Sequence, residues 1–254
     1  MTDIKQSIQR QFGDVAASYT ASAVHRGGPD LDALVLAAAQ SPIGSALDVG
    51  CGTGHTALAI APLAASVTAV DLTEAMLEQG RALAGERQIA NVTFVRGDVE
   101  RLDLADVSFD LVTSRYSAHH YPHPQRAMAE IFRVLRPGGR LLLVDVIAPA
   151  EPLADTFLNA IELLRDPSHV RDFSLAQWRQ LLSDAGFAAE LRGSWPLRLN
   201  FTSWVERMRT PPATVHQIRR MLSDAPAEVQ QILQIEDDGS FSAPTVLLAA
   251  TRPS

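Results

Sequence analysis

The chain has almost no cysteine. A single thiol, Cys51, in 254 residues excludes an intramolecular disulfide and a multi-cysteine zinc site. Positive charge is short as well: 22 Lys and Arg stand against 29 Asp and Glu, a formal net charge of −7. A chain that grips a phosphate backbone needs a basic footprint, so a nucleic-acid partner is disfavoured. No apolar stretch reaches the ~20 residues that span a bilayer. Met1 to Asp14 is polar and mixed in charge, without the apolar core of a secretory leader. These absences point away from a membrane and towards the cytoplasm. Internal repeats and low-complexity segments are also absent. What is present is 46% hydrophobic residues, ample for a packed core, in a length that suits one large domain or a core with an elaborated cap.

The most telling segment is Leu47-Asp48-Val49-Gly50-Cys51-Gly52-Thr53-Gly54-His55-Thr56. It reads as a buried strand, a glycine turn and the start of a helix. Asp71 follows at the end of a second apolar run, the layout of a nucleotide-handling βαβ unit. A dinucleotide fingerprint wants Gly or Ala at its sixth position, where this chain has His55. A phosphate-binding P-loop ends in Gly-Lys-Ser/Thr, and no lysine is near. Asp48 beside the turn would repel a pyrophosphate. The turn is therefore suited to a ligand without phosphates.

The spacing Asp-x-Gly-x-Gly-x-Gly from Asp48 to Gly54 resembles the first motif of class I S-adenosylmethionine (SAM) dependent methyltransferases. Asp71 at the end of Val67–Val70, and Asp98 in Val92-Thr93-Phe94-Val95-Arg96-Gly97-Asp98-Val99, follow in that family's order. So does the turn Leu135-Arg136-Pro137-Gly138-Gly139. The resemblance implies SAM as cofactor and S-adenosylhomocysteine as product. It sets the glycine turn against the methionine half, Asp71 on the ribose hydroxyls and Asp98 by the adenine amino group. The implied cofactor set is Tyr19, Asp48, Gly50, Cys51, Gly52, Thr53, Gly54, Asp71, Leu72, Met76, Gly97, Asp98, Val99, Ser114 and Arg115. The segments Thr113–Tyr121 and Leu164–Arg171 further resemble a bacterial subgroup similar to the ubiquinone/menaquinone-biosynthesis C-methyltransferases.

Residues 3–24 read as a helix and about 30–40 as a second, separated by Gly27-Gly28-Pro29. Strands are expected at about 45–49, 66–70, 92–96, 109–114 and 140–147, with helices at about 54–63, 73–86 and 124–135. Such alternation implies a parallel sheet covered on both faces. Helices at 150–165 and 174–185 follow, the second with Ser174 as N-cap and Gly186 at its end. Two further strands, about 187–195 and 243–251, flank short helices split by Pro211-Pro212 and Pro226. The expected fold is thus α/β: a Rossmann-like, seven-stranded, mainly parallel sheet with helices on both faces. It forms one methyltransferase domain over 1–254, with an N-terminal helical lid at 1–40, a SAM-binding core at 41–150, and cap helices plus the last two strands at 151–254. Gly27-Gly28 is a candidate hinge for the lid.

Methyl transfer is an in-line displacement on an already activated cofactor, so position and a dry cavity matter most. A base is needed where the attacking group carries a proton it cannot lose unaided. Histidine is the natural candidate, which singles out His119 and His120, then His169, with Tyr19 and Tyr116 orienting the substrate. The candidate catalytic residues are His119, His120 and Tyr19. The candidate substrate residues are Tyr116, His119, Arg165 and His169. Arg115 or Arg26 could pair with the methionine carboxylate or an acidic substrate. Arg165, Asp166 and Arg171 also suit a salt-bridged loop brace. No metal is expected: adjacent histidines on an extended segment face opposite ways, and no third ligand has the right spacing. Cys51 reads as a small filler. The expected substrate is a small, aromatic or heteroaromatic metabolite, methylated at O, N or C by a monomer or homodimer. Two alternatives stand beside this. One is an NAD(P)-dependent oxidoreductase, disfavoured by His55 and by the lack of a Tyr-x-x-x-Lys pair. The other is a non-catalytic SAM-binding module. No Asn-Pro-Pro-Tyr-like motif of the DNA amino-methylating enzymes occurs.

Overall fold

The computed structural model describes residues 4–21 and 26–254. Its strands are β1 Ile43–Val49, β2 Ala64–Asp71, β3 Val92–Arg96, β4 Phe109–Arg115, β5 Leu135–Val146, β6 Ala188–Leu199 and β7 Phe241–Thr251. They form one sheet in the order β3-β2-β1-β4-β5-β7-β6. β1 to β5 pair in parallel, and β7 runs antiparallel to both β5 and β6. The helices are α1 Ile4–Ala21, α2 Pro29–Ala38, α3 His55–Ile60, α4 Glu74–Glu86, α5 Pro124–Val134, α6 Pro152–Arg165, α7 Leu175–Asp184, α8 Phe201–Arg207, α9 Pro212–Ser223 and α10 Ala227–Leu233. The Rossmann-like, mainly parallel seven-stranded sheet is as the sequence led us to expect. None of the described helices is long and apolar enough to cross a membrane.

Side-chain alternation decides which helix covers which face. Leu47, Val49, Leu141, Leu143, Val246 and Leu248 join α5 and α7 in one buried cluster. Their neighbours Ala46, Leu142, Val144, Leu247 and Ala249 join α2, α3 and α4 in a second. Both faces are covered, so the strands are apolar at consecutive positions. A third cluster ties α6, α8, α9 and α10 to the ends of β6 and β7, with Trp204 and Phe241 ring to ring at 5.0 Å.

Local signals fix several boundaries. Ser174 and Gln177 form a capping box at the start of α7, and Gly186 takes φ +94° just past its end. The Arg252 guanidinium donates to the Phe132, Arg133 and Leu135 carbonyls, satisfying the orphaned end of α5. One boundary differs from expectation. β5 begins at Leu135, not near 140, because Leu135 pairs with Phe109 before a register shift carries the partner of Leu111 to Arg140. Pro137-Gly138-Gly139 is thus a bulge inside the strand, with Gly138 at φ +78°.

Gly80 shows how tightly β3 meets α4. Alanine in a helix interior is favoured over glycine by about 1 kcal/mol. Here, however, a Cβ would overlap Cε1 of Phe94, and the same ring already lies 2.7 Å from a Cβ placed on Gly54. Overpacking costs about 1–3 kcal/mol, so the clash should outweigh the propensity. Gly80→Ala is expected to lower stability by roughly 1–2 kcal/mol in urea unfolding. In a Phe94→Leu background the same change should become neutral or stabilising. A gain in the wild-type background would show that the ring yields.

Candidate active site

The order β3-β2-β1 runs one way from β1 and β4-β5 the other, so β1 and β4 mark the switch point where open α/β sheets bind ligands. A cleft of about 960 Å³, its open mouth included, lies there. Its floor is the glycine turn. Gly50, Gly52 and Gly54 have φ +63°, +52° and +80°. A Cβ on Gly50 would sit 2.6 Å from Ser117 Cβ, whereas the corresponding position at Gly52 is open. Close backbone approach by a ligand is therefore possible at Gly52. Asp71 accepts hydrogen bonds from the Gly52 and Thr73 amides, both at 2.8 Å. Burial raises its pKa and those two amides oppose the rise. Each oxygen keeps a lone pair for a further donor. Leu72, Met76, Gly97 and Val99 supply apolar wall, and Thr53 and Asp98 also line the cleft. An acid beside an open glycine cradle and an apolar slot fits a nucleoside carrying no phosphate.

α1 lies across this cleft. Lys5, the one lysine in the sequence, pairs with Asp98 and Glu100 at 2.6 Å each. Gln9 donates to the Leu72 carbonyl, and Gln11 to the Met208 carbonyl of the cap. Phe12 meets His120 edge-on at 4.9 Å. The candidate hinge at Gly27-Gly28 follows residues 22–25, which lie outside the described residues.

A second chamber, about 490 Å³ with its open mouth included, adjoins the first. Tyr19 and Tyr116 line both. Tyr116 stands at the end of β4 with φ +53°, a strained setting for an aromatic residue. His119 lines the second chamber. Its Nδ1 lies 2.7 Å from Asp145, which also accepts the His119 amide at 3.1 Å. Burial pulls the His119 pKa down, but the Asp145 charge and hydrogen bond prevail and lift it to about 9. His119 is accordingly an imidazolium near neutrality. His120 lines the first cleft instead. Its Nδ1 is 3.0 Å from the Ser168 carbonyl, which assigns the proton to Nδ1 and leaves Nε2 as acceptor. Burial, then the neighbouring His119 charge, lowers its pKa to about 4.

The remaining candidates are dispersed. Gly50, Cys51 and Arg115 line the cleft, and Arg165 lines the chamber. Asp48, Gly54 and Ser114 are not on either wall. Asp48 is fully enclosed, accepting from Ala57 N–H and the Thr113 hydroxyl, and burial lifts its pKa to about 7. It joins β1 to α3. Gly54 lies against Phe94, and Ser114 bonds to Ser117 and Tyr121. Arg115 spends Nε on buried Asp30 at 2.6 Å. His169 is 5.7 Å from the His119 ring and engages Asn159. Arg26 is exposed. Burial, then Asp71 and Asp48, push the Cys51 thiol well above its usual range, so it is no ready nucleophile. The loop brace forms without Arg165: Arg171 pairs with Asp155 and Asp166 holds Ser168, while Arg165 pairs with Glu162. Among the described residues no cluster of three His, Cys, Asp or Glu side chains could hold a metal ion. The sequence reading missed Lys5, Asp145, Glu162, Asp172 and Arg207. For Asp145 a signal existed, since it ends an apolar strand as Asp71 does.

An open α/β sheet with a nucleoside-shaped cleft at its switch point defines a cofactor-binding fold of the Rossmann-like kind. Residues 47–143 match the methyltransferase domain family. The chain is 38% identical to the uncharacterized methyltransferase YcgJ of Bacillus subtilis over 219 residues, 86% of this chain and 87% of that one. The YcgJ crystal structure superposes with a TM-score of 0.85 at 36% identity, covering 89% and 98% of the two chains. The demethylmenaquinone methyltransferase of Clavibacter sepedonicus is 30% identical over 78% of this chain and 80% of its own. The chain belongs to the class I SAM-dependent methyltransferase family.

Proposed function

We propose that this chain moves a methyl group from SAM in the cleft to a small molecule in the chamber behind Tyr19 and Tyr116. The observation that carries the reading is the pair of adjoining cavities sharing a wall of two tyrosines. SAM, when bound, supplies a methyl group already activated by a sulfonium centre. The chain's own task is then placement and exclusion of water. Asp71 takes the ribose hydroxyls, the glycine turn holds the methionine half, and Leu72, Met76 and Val99 flank the base. Asp98, held by Lys5, ties α1 over the adenine end. Burial raises the pKa of both Tyr19 and Tyr116, so their phenols stay neutral and orient an acceptor by hydrogen bonding. His119 offers a proton at Nε2 towards the chamber. His120 is neutral, and its Nε2, 3.9 Å from Asp166, is the nitrogen able to receive one. The attacked atom is O, N or C of a small metabolite.

Calorimetric titration with S-adenosylhomocysteine, and separately with NAD, tests the cofactor. Micromolar binding of the former, on the order of −8 kcal/mol, with no heat from NAD, is the expected result. Binding of NAD alone would overturn the reading in favour of an oxidoreductase. Tight cofactor binding with no transfer of labelled methyl to any compound of a broad metabolite panel would favour a non-catalytic module.

A further inference from the structure

The second chamber carries a charge that forms no ion pair among the described residues. Two of its cations are matched: Arg165 by Glu162 at 3.0 Å, and His119 by Asp145 at 2.7 Å. Arg207, at the last turn of α8, is different. None of the ion pairs among the described residues includes it, and its Nε is buried without a hydrogen-bond partner. Its neighbours are Tyr19, whose hydroxyl it meets, Arg165, whose like charge adds to burial in pressing its pKa down, and Glu162, whose charge opposes that fall but which is ion-paired to Arg165. Arg207 is half-buried, and a desolvated cation without a counter-charge is costly. Two more polar atoms on the same wall are also buried and unpartnered, Trp204 Nε1 and Asp172 Oδ2. Burial pushes the Asp172 carboxyl well above its usual range, against the pull of the His119 charge. The unpartnered donors Arg207 Nε and Trp204 Nε1 face a space bounded by Leu197, Leu199 and the Trp204 ring, with Asp172 on the same wall.

Resting on the methyltransferase reading above, we infer that the methyl acceptor is a small monocarboxylic acid whose carboxylate is held by Arg207, with its apolar body against Trp204, Leu197 and Leu199. The charge count selects the class. One unmatched guanidinium calls for one negative charge, whereas a phosphate monoester brings about −1.5 to −2 at neutral pH and would need a second free cation. The chamber's size suits a single ring or short chain.

The test uses the full chain saturated with S-adenosylhomocysteine. Benzoate, 4-hydroxybenzoate and hexanoate are each titrated beside the matching primary amide, and phenyl phosphate is added as a further arm. Binding is followed by ligand-observed NMR and calorimetry. At least one acid should bind about tenfold tighter than its amide and tighter than phenyl phosphate. Arg207→Gln should erase that preference while leaving the S-adenosylhomocysteine affinity within about twofold. Arg207→Lys, which keeps the charge, should retain part of it and guards against a folding defect in the first variant. Acids that bind no better than amides, a preference for the phosphate, or a preference untouched by Arg207→Gln would each overturn the inference. If wild type fails to bind S-adenosylhomocysteine at all, the methyltransferase reading falls separately. The acid–amide comparison is then made on the chain alone and judged by the same criteria.

Discussion

Alanine at Asp71 is expected to weaken S-adenosylhomocysteine binding by at least ~100-fold, about 2.7 kcal/mol. The carboxylate sits at the end of β2 and is already oriented by the Gly52 and Thr73 amides. A ribose that donates both hydroxyls to it gains two charge-assisted bonds, each of about 1.5–3 kcal/mol. The substitution also frees the glycine turn from its anchor, so part of the loss comes from a less ordered floor. Asp71→Asn separates the two: it keeps an acceptor oxygen and the shape but drops the charge, and should fall between wild type and alanine. Because burial raises the Asp71 pKa, affinity should also decline as acid protonates it, and this decline should vanish in the asparagine variant. Unchanged affinity in Asp71→Ala would remove the ribose contact and with it the assignment of the cleft.

The other large effect is expected at Asp145, whose removal should destabilise the fold by about 3–5 kcal/mol, the range for breaking a buried charged pair. Its carboxylate is wholly enclosed and serves the His119 ring, the His119 amide and the Val146 amide. The rise of His119 from 6.5 to about 9 corresponds to roughly 3 kcal/mol of preference for the imidazolium. Its sign follows from linkage. The folded pKa lies above the unfolded one, so this stabilisation is fully present below 6.5 and is lost as pH rises through 9. The stability gap between wild type and Asp145→Asn should accordingly narrow between those values. NMR titration of the His119 ring should show its pKa falling below 6.5 in the variant, since burial and the loss of Asp145 then act together. A His119 pKa that stays near 9 in Asp145→Asn would mean that another acid holds the proton.

Much of the fold was legible because the strands are buried on both faces and glycine or proline punctuates them. β3 is found at 92–96 as expected, and the three short cap helices are split where Pro211-Pro212 and Pro226 stand. The early start of β5 was not legible, since it depends on Leu135 finding Phe109 across the sheet. Gly50, Gly52, Asp71 and Asp98, singled out by motif and spacing, do line one cleft. Asp48 shows the limit of motif spacing. Strand alternation alone turns it away from Leu47 and Val49 and towards α3, where it becomes a brace. The chamber's charges come from α6, α8, the segment before α7 and the end of β5. No local pattern brings Glu162, Asp172 and Arg207 together; only the closing of the cap over the sheet does.

The position of β7 carries a consequence for biosynthesis. This late segment lies between β5 and β6, bonded to Arg140–Val146 on one side and to most of β6 on the other. While the ribosome is still making residues 241–251, β5 has an open edge and β6 has no neighbour at all. Five parallel strands can assemble as they emerge, but the half of the sheet that supports the cap waits for β7. Such non-local pairing is slow and leaves strand edges exposed meanwhile. The nascent chain is most vulnerable to aggregation until residues 241–251 have emerged.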